Sequence, residues 1–128
     1  MEVSLDDIPV MFVKAEGGTT GAERAFHKLE SGLASLRGRR FYGTYQAGEY
    51  RACVALLPND DPETLGFETW VIPGGNYFRE KLTNWSQRIP EIGKRFDAMA
   101  ARISADFSRP SIEYYRTQSE VHLLLPMA

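Results

Sequence analysis

The chain has 128 residues, enough for one domain with a real core, and its 43% hydrophobic and 25% charged content is ordinary for a soluble globular protein. A formal charge of −2 argues against direct nucleic-acid binding, which asks for a strong basic excess on one face. The single cysteine, Cys53, excludes an intrachain disulfide and suits a reducing, cytoplasmic home, and no apolar run approaches the roughly 20 residues of a membrane span.

The acidic start, Met1 to Asp7, lacks the basic and apolar stretches of a signal peptide. Val10 to Ala15 reads as the first strand. Ala22, Phe26, Leu29, Leu33 and Leu36 recur at steps of three and four and predict a first amphipathic helix ending near Leu36. Thr20, three residues before Glu23, suggests a capping box. The basic run Arg37, Arg39 and Arg40 then reads as a solvated helix C-terminus. Phe41 to Tyr45 and Tyr50 to Leu57 are strands joined by a short hairpin loop, and Asn59 to Gly66 is an exposed connection.

Phe67 to Ile72 and Tyr77 to Leu82 are further strands. Ile89, Ile92, Phe96, Met99 and Ile103 predict a second helix starting near Ser86 to Ile89, because Pro90 is tolerated only in a first turn. Ile112 to Arg116 and Val121 to Leu125 form a closing hairpin. The halves, about 1–60 and 66–128, share an order of strand, helix, strand, strand. Ile8-Pro9 matches Ile72-Pro73, Tyr45 matches Tyr115, and Leu56-Leu57-Pro58 matches Leu124-Leu125-Pro126. The expected fold is therefore α+β: one domain over 1–128 made of two tandem β-α-β-β repeats related by a pseudo-two-fold axis. Both helices cover one face of an antiparallel sheet, and a ligand groove lies on the other.

No metal or cofactor is expected. His27 and His122 have no second ligand at metal spacing, Cys53 has no visible base, and Gly17-Gly18 and Gly74-Gly75 lack the context of phosphate loops. The informative strand is Ser111 to Arg116. Alternation puts Ile112, Tyr114 and Arg116 on one face and Ser111, Glu113 and Tyr115 on the other. With Ile112 toward the helices, Glu113 and Tyr115 face the groove, and Gly43 lies opposite Glu113, leaving room for something between them. A carboxylate among aromatic residues asks for a partner, and a cationic ligand is one. Solvent exposure of Glu113, or pairing with Arg116 or Arg109, is the plainer alternative. Trp70, Trp85, Tyr42 and Tyr77 suit core packing as well as a groove wall.

Trp70-Val71-Ile72-Pro73-Gly74-Gly75-Asn76-Tyr77-Phe78 resembles the I-P-G-G-x-Y segment of GyrI-like domains, also called AraC-type effector-binding domains. Arg109 to Tyr115 resembles their C-terminal strand, with a glutamate shortly before a tyrosine, and Leu123 to Pro126 resembles their terminal strand. Phe41 to Gly43 and Tyr50 to Val54 resemble their first-half strands. The resemblance implies a tandem β-α-β-β fold whose groove glutamate, Glu113 here, meets cationic aromatic ligands. Tyr45, Tyr115 and Trp85 would wall the groove, with Tyr42 and Trp70 beside them. Many relatives carry a helix-turn-helix module; here strands begin near Met1 and run to the C-terminus, so a stand-alone ligand-binding or toxin-sequestering protein is expected. Other relatives resemble hydrolases of strained electrophilic toxins, for which Glu113 would be a general base helped by Tyr45 or Tyr115. Gyrase-inhibiting relatives make a protein partner a third reading.

Overall fold

The computed structural model describes residues 1–128. Eight strands form one antiparallel sheet: β1 (Glu2–Leu5), β2 (Ile8–Lys14), β3 (Phe41–Gln46), β4 (Glu49–Ala55), β5 (Glu68–Ile72), β6 (Gly75–Thr83), β7 (Ser111–Tyr115) and β8 (Glu120–Pro126). Their spatial order is β1-β6-β8-β7-β3-β4-β2-β5. Helix α1 (Ala22–Ser31) follows β2, and α3 (Ile89–Ala100) follows β6. The short α2 (Pro62–Leu65) bridges the halves, with Asp61 accepting from the Thr64 amide as its cap. No helix is long and apolar enough to cross a membrane.

The duplication is present in the register. Gly43 pairs with Glu113 at the centre of the sheet, and the flanking pairs Thr44–Ile112 and Tyr42–Tyr114 exchange across that point. Following the pairings outward makes Ala52 equivalent to Leu123, Val13 to Glu80, and Val3 to Trp70. Tyr45 and Tyr115 are equivalent, as their spacing predicts. The other two sequence matches are corrected: Ile8 is the cross-strand partner of Ile72, and its equivalent is Gly75. Leu124 corresponds to Cys53, three residues away from the Leu-Leu-Pro match.

The first half contains one more strand than expected, β1, and the second contains the four strands its composition predicts, so each half is β-β-α-β-β rather than β-α-β-β. β1 was not legible as a strand because only Val3 and Leu5 are apolar in it, and it leaves its own half to pair with β6, while β5 pairs with β2. The β1–β2 and β5–β6 connections therefore cross. At the crossing the Gly74 amide donates to Asp7 Oδ1 at 2.7 Å, and a Cβ on Gly74 would lie 2.5 Å from the Leu5 carbonyl oxygen. Beside it, Gly75 has φ 134° and lies under the Arg109 guanidinium. The Gly-Gly pair thus serves close backbone approach rather than a phosphate.

Both helices pack on one face. Met11, Tyr50, Ala52 and Val54 meet Ala25 and Leu29 of α1, and Leu82, Val121, Leu123 and Leu125 meet Ile92 and Met99 of α3. The opposite face carries Val10, Phe12, Tyr42, Cys53, Ile72, Tyr77, Ile112 and Leu124, all buried although no helix covers them. The curl of the sheet and the crossed connections enclose them. Helix α1 ends at Ser31, one turn or more before the predicted end, and Leu36 is 49% exposed. Gly21 is its cap residue; Thr20 instead donates to the Gly17 carbonyl. The basic run therefore lies in a loop, where Arg39 forms a buried bidentate pair with Asp60 at 2.9 Å. Helix α3 begins at Ile89 with Pro90 in its first turn.

Candidate functional site

β3 and β7 meet at the middle of the sheet, between the strands that pack on α1 and those that pack on α3. Glu113 is there. The expectation that Ile112 faces the helices is corrected: Ile112 belongs to the enclosed core, so alternation turns Glu113 and Tyr115 toward the helix face. The predicted groove on the helix-free face is accordingly replaced by apolar core, because curling of the sheet fills that side.

Glu113 Oε1 accepts two hydrogen bonds, from the Tyr50 hydroxyl at 2.7 Å and from the Tyr115 hydroxyl at 2.5 Å. Oε2 accepts none. A Cβ on Gly43 would lie 1.9 Å from the Tyr50 oxygen and 2.8 Å from Glu113 Oε1. The room opposite the carboxylate is therefore taken by the chain's own tyrosine. Tyr50 is 2% exposed, and Phe26 of α1 lies edge-on to both tyrosines, 6.2 Å from Tyr50 and 5.4 Å from Tyr115. Trp85 comes from the short turn before α3, where Asn84 adopts a left-handed conformation. Its ring lies 4.9 Å from Tyr115, and its Nε1 donates to the Thr117 carbonyl at 3.2 Å.

Burial pushes the Glu113 carboxyl above the usual carboxylate range, and the two tyrosine hydrogen bonds offset part of that rise. Burial and the neighbouring carboxylate raise both tyrosine hydroxyls well above their ordinary range, so they stay protonated as donors. An acid held by two neutral donors inside four aromatic rings can hold a cation, or exchange a proton with a molecule lying over it.

The six residues singled out in the sequence separate into three places. Glu113, Tyr115 and Trp85 come together. Tyr45 shares their face, but its side chain points into solvent, 43% exposed. Tyr42 and Trp70 belong to the helix-free face. Tyr42 stacks on Tyr114 at 4.9 Å, and Trp70 packs on Phe12. Tyr50 and Phe26 were missed. Tyr50 carried a usable signal, since it shares a face with Ala52 and Val54, which β4 must present to α1; Phe26 carried only its core periodicity.

No family model matches the chain, and no curated protein matches it. Solved structures do. An integron cassette protein from the mobile metagenome of Vibrio cholerae superimposes with a TM-score of 0.75 at 15% identity, covering 100% of this chain and 95% of that one. The protein SAV2435, solved bound to tetraphenylphosphonium, has a TM-score of 0.63 at 10% identity, covering 100% and 93%. A hydrolase from Listeria innocua has a TM-score of 0.59 at 10% identity, covering 100% and 90%. At these identities the likeness establishes one thing: the chain has the same α+β fold, a curled antiparallel eight-stranded sheet, over its whole length.

Proposed function

We propose that this chain is a GyrI-like small-molecule-binding protein that takes a cationic, aromatic ligand over Glu113, between α1 and α3. The observation that carries the reading is the Glu113 carboxylate itself. It sits among Tyr50, Tyr115, Phe26 and Trp85 with one oxygen committed to hydroxyls and the other accepting nothing. Keeping a carboxylate desolvated costs free energy that a bound cation returns. Each aromatic face adds about 0.5–2 kcal/mol of cation–π attraction. The tetraphenylphosphonium bound to SAV2435, a protein of the same fold, supports the ligand class. Titration with tetraphenylphosphonium, followed by melting temperature and Trp85 fluorescence, tests the reading. The melting temperature should rise, and Glu113→Gln should remove most of the rise. An equal rise in the Gln variant defeats the role given to Glu113.

One arrangement favours a second reading, hydrolysis of a strained electrophile. Two protonated tyrosine hydroxyls converge on an acid whose proton affinity is raised by burial, which suits a general base beside hydrogen-bond donors. The hydrolase from Listeria innocua shares the fold. Incubation with a reactive cyclopropane compound and mass spectrometry separates the two: turnover beyond one equivalent supports hydrolysis, and none leaves binding.

A further inference from the structure

The duplication places two polar clusters at opposite ends of the sheet. In the first half Lys14, Glu49 and Arg51 meet: Glu49 pairs with Lys14 at 3.2 Å and accepts from Arg51 Nε. The register makes Lys81, Glu120 and His122 their equivalents, and there His122 Nε2 lies 2.7 Å from Glu120. The ends differ at several equivalent pairs, among them Arg51 and His122, Trp70 and Val3, and Thr44 and Tyr114. At the second end the Tyr114 ring packs edge-on to His122 at 5.7 Å and fills the space. At the first end Thr44 leaves that volume empty. A cavity of about 290 Å³ results, lined by Thr44, Gln46, Glu49, Arg51, Trp70 and Pro110 among others.

Arg51 is held for use there. Its guanidinium lies 4.4 Å from the Phe12 ring centre and 4.5 Å from that of Trp70, and these two rings are set edge-to-face. Nε is committed to Glu49, while Nη1 and Nη2 donate no hydrogen bond and keep solvent contact; the side chain is 26% exposed. Glu49 is shared between Lys14 and Arg51 Nε, so it does not occupy the terminal fork of Arg51. Arginine stays charged at any physiological pH, and its planar terminal fork matches a planar carboxylate in a bidentate pair.

The geometry points to a second binding site at this mouth, taking a small carboxylate on the Arg51 fork with its apolar body against Trp70. The site lies on the face of β4 opposite Tyr50 and offers a guanidinium where the Glu113 site offers an acid, so it does not depend on the function proposed there. The volume is at the lower end for ligand pockets and suits a molecule the size of benzoate.

Titration of the intact protein with benzoate, read by amide and arginine side-chain NMR, tests the site. Saturable shifts are expected at Thr44, Gln46, Arg51 and the Trp70 indole. Arg51→Lys keeps the charge and loses the fork, so affinity should fall about tenfold. Thr44→Tyr copies the filled end of the molecule and should abolish the shifts, while Glu113→Gln should leave them unchanged. Shifts that persist in both Arg51→Lys and Thr44→Tyr overturn the site, as does no saturable response in the folded wild type. Inorganic phosphate binding more tightly than benzoate overturns the carboxylate assignment.

Discussion

The hydroxyl of Tyr50 occupies the place where a side chain on Gly43 would begin, 1.9 Å from an ideal Cβ, and from there it donates to Glu113. A glycine on one central strand, a tyrosine on its neighbour and an acid on the next therefore form one unit. Gly43→Ala should push the rigid, buried Tyr50 ring off the carboxylate and cost about 1–3 kcal/mol, as overpacking does. Urea denaturation measures the loss. An alanine variant as stable as the wild type would mean that the ring yields freely.

Tyr50→Phe removes one of the two donors that hold down the Glu113 proton affinity. The acid should then titrate at a still higher pH, because both hydrogen bonds act to lower it. Stability should fall by about 1.5–3 kcal/mol where the carboxylate is charged, the usual size for a hydrogen bond to an ion. A carboxyl-carbon NMR titration reads the shift; one toward lower pH would contradict the geometry.

Glu113 gives stability a predictable pH dependence. Below the ordinary glutamate range, about 4.3, folded and unfolded chains both carry the proton. As pH rises through that range toward the raised folded value, the unfolded chain ionises first and folding loses free energy. Glu113→Gln removes this loss, so its stability relative to wild type should grow from about pH 4 upward and level off above the folded value. Tetraphenylphosphonium affinity for the wild type should rise over the same window, and the Gln variant should stay flat. Melting curves at several pH values check the first point and fluorescence titration the second.

Cys53 is fully buried on the helix-free face, and burial pushes its thiol up to about 12. The native protein should resist iodoacetamide at pH 8, with alkylation appearing only as the chain unfolds in denaturant. Rapid labelling of the folded protein would show that the crossed connections open.

Helix periodicity, strand alternation and the doubled order were readable because they depend on spacing along a few residues. Glu113, Tyr115 and Trp85 were readable as a group because strand parity and the family resemblance converge on them. For Tyr50 the shared face with Ala52 and Val54 was readable, but only the pairing of β3 with β4 brings its hydroxyl over Gly43. β1 was not, because two apolar residues in a short edge strand give little periodic signal, and its partner lies in the other half.

By itself the sequence determined the composition of the parts: two amphipathic helices, alternating strands, one acid beside tyrosines, and a glycine aligned with it by repeat. Which face that acid occupies was decided only by tertiary structure. Alternation separates Ile112 from Glu113 but leaves open which of them meets the helices. The exchange of β1 and β5 between halves curls the sheet and encloses the Ile112 side, and Glu113 is thereby left between the helices.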